Sequence, residues 1–217
     1  MKTKLYPDSG VELNPFTARN YDKVMNIGSM GMYSSFIRNA IQNMDIQPTD
    51  KILDLGCGTG RNADLMTKYL NEKGLLTGID ISDDMEKQFR TRFRNDKRVE
   101  FVNRRIDLPL GLTDDYDIVF ISFVIHGFPH EVRDEVIKNA YGHLKPGGKF
   151  IILDFAEFDM EKMPGLHRFI FEKVECKYAF DYIKRDWKEI LKGYGFINFS
   201  ESFYLKKYVR LLHSVKK

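Results

Sequence analysis

Three glycines at alternate positions, Gly56, Gly58 and Gly60, follow a short apolar stretch that carries one carboxylate, Asp54. Residues 51–61 read K-I-L-D-L-G-C-G-T-G-R, and a helical pattern of apolar residues comes next. Glycines in such a turn let the backbone approach a ligand closely and allow dihedral angles that other residues avoid. The unpaired N–H groups at the start of the next helix favour an anionic or strongly polar group. The segment therefore predicts a site for a nucleoside-bearing cofactor.

The spacing of these glycines separates two classes of cofactor. The dinucleotide fingerprint is G-x-G-x-x-G, whereas here the third glycine comes one residue early and position 61 is an arginine. A carboxylate at Asp54 would repel a pyrophosphate, but it suits a ligand that carries an ammonium and a sulfonium group. The segment therefore favours S-adenosylmethionine over a nicotinamide dinucleotide.

The run L-D-L-G-C-G-T-G-R resembles motif I of the class I S-adenosylmethionine-dependent methyltransferases. Residues 144–154, L-K-P-G-G-K-x-x-x-x-D, resemble a motif that follows the core in small-molecule members. The resemblance implies S-adenosylmethionine as methyl donor, S-adenosylhomocysteine as product and no metal. It also implies that Asp54, Gly56, Cys57, Gly58 and Gly60 contact the cofactor.

Apolar runs alternate with helical repeats along the chain, which is typical of an α/β fold. Strands are predicted at 51–55, 75–79, 99–102, 116–123 and 149–155, with an antiparallel hairpin at 196–204 and 208–215. Helices are predicted at 61–70, 82–95, 131–144 and 185–194, and a turn at 145–148. Pattern and resemblance together predict a Rossmann-like, doubly wound, seven-stranded and mostly parallel sheet with an antiparallel last strand.

Residues 1–47 are predicted to form an N-terminal helical cover, with helices at 16–27 and 32–44, and residues 48–217 the cofactor-binding domain. Residues 156–183 are rich in aromatic residues and methionine, and are predicted to be a substrate-facing insertion. Tyr21, in the pair Tyr21-Asp22, resembles an aromatic that closes over the cofactor in ubiquinone/menaquinone C-methyltransferases. A surface tyrosine packing on a helix is the alternative interpretation.

Asp80 ends the predicted second strand, 22 residues after Gly58. A carboxylate at this position of the fold would accept hydrogen bonds from a ribose diol, and an ordinary strand-end cap is the alternative. Ile81 and Met85 follow. By analogy with the family they lie against the adenine ring, although a methionine at helical spacing is often simple core.

The segment after the third strand departs from the family pattern G-D-a-x-x-L-P, in which the aspartate accepts from the adenine amino group. This chain has Arg104 where that aspartate belongs, if Leu108-Pro109 is the anchor. Two alternatives stay open: Asp107 substitutes through a local shift, or backbone groups near Ile106 hold the adenine alone.

The fourth strand leads into two further candidates. Ser122 is a predicted cofactor contact, and the run Ser-Phe-Val-Ile replaces the D/N-P-P-aromatic motif of nucleic-acid amino-methyltransferases. His126 follows on the edge where strand ends hold ligands, and its pKa suits a general base for an acceptor that must lose a proton. A packing or capping histidine is the alternative. His130 is the weaker candidate.

Bulk composition limits the class of protein. The 217 residues carry a net charge of +3, two cysteines and no long apolar segment, so neither a disulfide framework nor a membrane span is predicted. A cytoplasmic location is the expectation. The basic face of the helix at 82–95 is predicted to be solvated, which makes nucleic acid an unlikely partner and leaves a peripheral membrane contact open. The oligomeric state is left open.

The sequence thus predicts a methyltransferase that acts on a small apolar or aromatic molecule, with a quinone-like acceptor suggested by the resemblance. An RNA methyltransferase, and a non-catalytic protein that binds S-adenosylmethionine, are the alternatives.

Overall fold

The computed structural model describes residues 32–113 and 115–217. Tyr21 and the predicted helix at 16–27 lie outside the described residues. Within the described part of the chain, no helix has the length and apolar character needed to cross a bilayer.

A seven-stranded sheet runs through the centre of the protein, in the order β3-β2-β1-β4-β5-β7-β6. Strand β7 is antiparallel to both of its neighbours, and the other paired strands are parallel. This confirms the predicted sheet. The strands are β1 (Lys51–Leu55), β2 (Leu75–Asp80), β3 (Val99–Asn103), β4 (Tyr116–Ser122), β5 (Leu144–Phe155), β6 (Phe196–Tyr204) and β7 (Val209–Lys216).

Helices cover both faces of the sheet, which is why the central strands are almost continuously apolar. The helices are α1 (Met32–Gln42), α2 (Arg61–Met66), α3 (Asp83–Arg92), α4 (His130–His143), α5 (Gly165–Val174), α6 (Lys177–Tyr182) and α7 (Trp187–Gly193). Buried side chains of α1, α2 and α3 form the core on one face, and those of α4 to α7 form the core on the other.

The ends of several elements differ from the predicted ones for local reasons. The helix predicted at 61–70 is α2 followed by a 3-10 turn, Thr67–Tyr69. Helix α3 starts one residue late because Ser82 is its N-cap and accepts a hydrogen bond from the Met85 N–H at 3.3 Å. The turn predicted at 145–148 is included in β5, where the register with β4 shifts.

Two parts of the chain lie over this framework. Helix α1 packs Phe36 against Phe123 and Tyr204, and is the described part of the predicted cover. The predicted insertion contains a 3-10 turn, Met160–Lys162, followed by α5 and α6. The division of the chain at residue 47 stays a prediction.

Gly60→Ala is expected to destabilise the fold more than Gly147→Ala does. The two glycines share a left-handed conformation, with φ of 78° and 79°, so each substitution costs about 1–2 kcal/mol in backbone strain. A Cβ on Gly60 would lie 2.7 Å from ring atoms of Phe89 and Phe93, whereas one on Gly147 meets nothing within 4 Å. The clash should cost a further 1–3 kcal/mol or so in the free energy of unfolding, measured in urea. Equal losses would contradict the close packing of Gly60.

Candidate functional site

A glycine bend joins β1 to α2 and is fixed to β2 by its backbone. The N–H groups of Gly56 and Cys57 both donate to the Ile79 carbonyl, at 2.8 and 3.0 Å. Gly56, Gly58 and Gly60 all have positive φ, so the bend needs the residue type that the sequence supplies. A Cβ added to Gly58 would find only the Met85 Sδ, at 4.0 Å. At Gly58 the bend therefore presents its backbone to open space beside Met85.

Asp80 anchors this bend as well as facing the cavity. Its Oδ2 accepts from the Gly58 N–H at 3.0 Å, and its Oδ1 accepts from the Ser82 N–H at 2.9 Å. Burial raises the pKa of the Asp80 carboxyl, although the N–H donors of Ser82 and Gly58 oppose the shift. Two carboxylate oxygens offer about four acceptor positions, so acceptor positions for a ribose diol are left. The ribose role stays a prediction.

Asp54 is a buried carboxyl group for which the described residues supply no counter-charge. Its side chain lies near the end of β1, and the residue is only 2% exposed. Its Oδ2 has no hydrogen-bond partner among the described residues. Burial, and then the charge of Asp80, raise the pKa of Asp54 to about 8. An ammonium group would supply both the missing donor and the missing charge. The site therefore fits the cationic methionine end of S-adenosylmethionine.

A cavity opens beside the bend, where the ends of the first four strands meet. Ile81 and Ile106, two of the predicted adenine contacts, both line it. The other lining residues are Gly56, Asp80, Arg104, Arg105, Val124 and Phe128. A cavity lined by apolar side chains together with a carboxylate and two arginines suits a nucleoside, whose ring is flat and whose sugar is polar.

Asp107 is held away from this cavity by its neighbour. Arg105 donates to both of its carboxylate oxygens, from Nε at 3.0 Å and from Nη2 at 2.6 Å, and Asp107 does not line the cavity. Arg104 donates to the carbonyls of Leu110 and Pro109 and so closes its own loop. The cavity wall at this point is made by the two arginines and Ile106, and the adenine role of Asp107 stays a prediction.

Two further predicted contacts differ in what their side chains do. The Ser122 hydroxyl accepts a hydrogen bond from the Asn62 side chain at 2.8 Å, which ties the end of β4 to the first turn of α2. The sequence did not predict a role for Asn62, because this residue lies just outside the glycine pattern. The Cys57 thiol is buried in the core, and burial raises its pKa well above the ordinary value. Cys57 thus offers only its backbone to a ligand.

His126 lies in a 3-10 turn, Ile125–Gly127, directly after β4. Its Nδ1 is 2.7 Å from the Asp154 Oδ1, and its Nε2 is 3.5 Å from the Glu175 Oε2. The ring is flanked by Phe155 and Tyr182, with centroids at 4.9 and 6.4 Å. His126 does not line the cavity described above, although Val124 and Phe128 on either side of it do. It faces the cover formed by α5 and α6.

The carboxylates around His126 decide its protonation. Burial alone would lower the pKa of His126, but the charge and hydrogen bond of Asp154, together with the charge of Glu175, outweigh it and raise the pKa. Burial likewise raises the pKa of Glu175, with His126 opposing the shift. His126 is therefore a stronger base than an ordinary histidine.

Arg133 holds the His126 turn against α6. This fully buried side chain donates to the carbonyls of Ile125, His126 and Tyr178 at 3.2, 3.1 and 2.7 Å, and to Asp181 at 2.7 Å. Its position on α4 carries no local signal of this role. Asp154 could have been found from the motif that ends in it, whereas nothing near Glu175 in the sequence marks it.

No group of three or more potential metal ligands occurs among residues 32–113 and 115–217. The arrangement can hold a cationic nucleoside and, next to it, a proton acceptor.

Comparison with known proteins agrees with this geometry. Residues 52–148 match the family model described as a methyltransferase domain. The ubiquinone/menaquinone biosynthesis C-methyltransferase of Hydrogenovibrio crunogenus (strain DSM 25203 / XCL-2) is 30% identical over 143 residues, covering 64% of this chain and 56% of that protein. The demethylmenaquinone methyltransferase of Lysinibacillus sphaericus (strain C3-41) is 26% identical over 156 residues, covering 71% and 65%. The chain thus spans less than two thirds of the length of either relative.

The fold has counterparts among solved structures. Human N-acetylserotonin methyltransferase, solved in complex with S-adenosylmethionine, superposes with a TM-score of 0.69 at 15% identity, covering 94% of this chain and 56% of that one. These comparisons confirm the predicted family resemblance and the Rossmann-like fold. They lend no support to the RNA methyltransferase alternative.

Asp54→Asn is expected to stabilise the cofactor-free protein at high pH while weakening cofactor binding. The folded state raises the pKa of this acid from 3.8 to about 8, so it binds the proton more tightly than the unfolded chain. The contribution of Asp54 to stability therefore falls as pH rises through that interval. The melting temperature of the variant should gain on the wild type between about pH 5 and pH 8.

Affinity for S-adenosylmethionine at about pH 8 should fall by roughly tenfold or more, since a charge-assisted contact is lost. Glu72→Gln, at an exposed acid, is the matched control and should change neither quantity. A melting-temperature difference that is independent of pH would contradict the raised pKa of Asp54.

Asp80→Ala is expected to weaken the binding of S-adenosylhomocysteine by about tenfold or more, measured by calorimetry. Because Asp80 also anchors the bend, urea unfolding of the same variant must be compared. Asp80→Asn retains a carbonyl oxygen for one of the two N–H groups and so separates anchoring from ribose binding. An unchanged dissociation constant in both variants would refute the ribose assignment.

Proposed function

We propose that this chain, a class I S-adenosylmethionine-dependent methyltransferase, methylates a small hydroxylated aromatic acceptor of the quinone type. The observation that carries the proposal is the pairing of His126 with Asp154 beside aromatic side chains, at the end of a strand that also borders the cofactor cavity. The names of the relatives, which refer to quinone biosynthesis, support the choice of acceptor.

The cofactor half of the site has mainly to bind S-adenosylmethionine and to orient its methyl group. When bound, S-adenosylmethionine supplies a methyl group that is already activated on a sulfonium sulfur. The proposed partner of the ammonium group is Asp54, because its Oδ2 has no hydrogen-bond partner among the described residues, and the open backbone of Gly58 allows close approach. Correct orientation of two reactants can be worth about 7–11 kcal/mol of the barrier. The protein therefore needs no group that activates the donor.

The acceptor half of the site has to take up a proton. With Nδ1–H donating to Asp154, the neutral ring presents Nε2 as the acceptor of that proton. A carboxylate can only accept, so the hydrogen bond to Asp154 keeps a proton on Nδ1, and Nε2 is left without a proton when Glu175 is displaced from it. The Glu175 carboxylate, 3.5 Å from Nε2, occupies the place where an acceptor hydroxyl would lie. Once an acceptor hydroxyl has displaced Glu175, its proton moves to Nε2 and the acceptor oxygen becomes nucleophilic.

The surroundings of His126 favour a flat apolar acceptor. Phe155 lies against the His126 ring and also against Phe171 of α5, with centroids 5.1 Å apart. Phe171 in turn contacts Phe158 and Phe180. Removal of a proton from a hydroxylated ring makes both its oxygen and its ring carbons electron-rich. A ring of this kind needs both features of the site, the aromatic wall and the base.

The basic face of α3 does not favour RNA. Arg90 donates to Glu86 at 2.8 Å and to the Phe101 carbonyl at 3.2 Å. Arg98, just beyond the helix, is paired with Asp96 at 2.6 Å. These guanidinium groups pair with groups of the protein itself. A surface of this kind stabilises the fold and does not favour RNA.

His126→Ala is expected to lower turnover of a hydroxylated quinol acceptor by about 10²–10⁴-fold, with unchanged affinity for S-adenosylhomocysteine. His130→Ala is the matched control: His130 starts α4 and is 3.8 Å from Asp134, and turnover should persist. Steady-state rates and calorimetry on both variants check this. Retained turnover in His126→Ala would end the proposal of a general base.

Asp154→Asn should shift the pH dependence of the rate. His126 accepts a proton only when neutral, so the rate should rise with pH through its raised pKa. Loss of the Asp154 charge lowers that pKa, and the rising limb should move to lower pH as the maximum falls. A limb that stays in place would assign it to another group.

A further inference from the structure

Helix α5 carries apolar side chains on two opposite faces. Phe171 points inward and contacts Phe155 and Phe158, with ring centroids 5.1 and 5.6 Å apart. Leu166 and Phe169 point outward and are 70% and 59% exposed. A surface helix normally turns only one apolar stripe to the core and keeps the other face polar. The outer face of α5 is thus unusual for a helix that contacts only water.

A lysine lies on the same outer face. Leu166, Phe169 and Lys173 are spaced three and four residues apart, which places them on one side of the helix. The Lys173 Nζ is 5.9 Å from the centroid of the Phe169 ring. The outer face therefore combines exposed apolar groups with a positive charge.

The turn between β6 and β7 continues this pattern. Leu205, Lys206 and Lys207 have φ of 47°, 57° and 71° in succession, a conformation that residues other than glycine seldom adopt. Leu205 is 47% exposed, and both lysines are exposed. Tyr208, the next residue, packs on His167 of α5 with ring centroids 6.0 Å apart. The turn therefore adjoins α5 at the residue next to Leu166.

We propose that these two elements form one surface that binds the headgroup region of an anionic lipid bilayer. We call it the lid–turn surface, and its residues are Leu166, Phe169, Lys173, Leu205, Lys206 and Lys207. Exposed leucine and phenylalanine beside lysines is the combination that inserts into the acyl boundary while attracting anionic headgroups. Binding of this surface to lipid does not depend on which molecule the protein methylates.

The charges of the surface are complementary to anionic lipid. Lys206 and Lys207 form no ion pair within residues 32–113 and 115–217. The flanking charges largely pair with each other, Lys162 with Asp159 at 3.5 Å and Arg168 with Glu172 at 2.8 Å. The three lysines of the lid–turn surface therefore remain as its excess charge.

The lid–turn surface lies at the edge of the sheet that also carries the candidate active site. Phe155 at the end of β5 pairs with Val209 at the start of β7, so the turn lies at the same edge of the sheet as His126 and the glycine bend. If the proposed function holds, docking would place the cover of the His126 site against the bilayer, and an apolar acceptor could enter without crossing water.

Co-sedimentation with vesicles tests the proposal without any methyl acceptor. The probe is large vesicles of phosphatidylcholine with phosphatidylglycerol, compared with vesicles of phosphatidylcholine alone. The full chain should bind the anionic vesicles and be released by high salt. Leu166→Ser with Phe169→Ser, and separately Lys206→Glu with Lys207→Glu, should each weaken the partition by about tenfold or more.

Arg94→Glu with Lys97→Glu is the matched control, because it makes the same change of charge at exposed residues near the end of α3 and should leave binding unchanged. Sedimentation velocity and circular dichroism verify that every variant is folded. Equal binding by all variants, binding that ignores lipid charge, or no binding at all would overturn the proposal. So would a Leu166→Ser, Phe169→Ser variant that loses only self-association, since the surface would then join two copies of the chain.

Discussion

The burial of the Asp54 carboxyl group is the constraint on which the rest of the site depends. By strand register, Asp54 lies between Gly78 of β2 and Phe120 of β4, in the middle of a sheet covered on both faces. Ionising a buried carboxyl group whose Oδ2 has no partner among the described residues costs free energy in the folded state, and the charge of Asp80 nearby adds to that cost. Such a costly group is expected only where it serves binding. A ligand that brings a positive charge is the kind that a buried carboxylate stabilises most.

Parallel strands bring the remaining groups to the same edge. Strand β1 leads into the glycine bend and β2 ends in Asp80. Strand β4 leads into the His126 turn, and β5 carries Asp154 near its end. The order of the sheet reverses between β1 and β4, and the loops on either side of such a switch point separate to leave a crevice. One crevice can therefore hold both a nucleoside and the molecule that reacts with it.

Helices α5 and α6 cover the His126 site with their inner side and expose apolar side chains on their outer side. The inner side carries Phe171 over Phe155 and brings Glu175 to His126, while Arg133 fastens α6 to the His126 turn through backbone carbonyls. The outer side carries Leu166 and Phe169 into solvent. Movement of α5 and α6 would therefore change the access of an acceptor to His126 and the charge beside it. The same movement would change the exposed apolar surface.

The sequence by itself determined the order of elements, the glycine bend, and the positions of Asp54 and Asp80, because glycine spacing and apolar periodicity are local properties of the chain. Only the tertiary structure decided how side chains distant in sequence pair: Asn62 reaches Ser122, and His126 turns to Asp154 and Glu175. Those pairings depend on distances between strand ends and on what each buried charge can find as a partner. Neither the distances nor the available partners can be read from the residues that neighbour each side chain in the sequence.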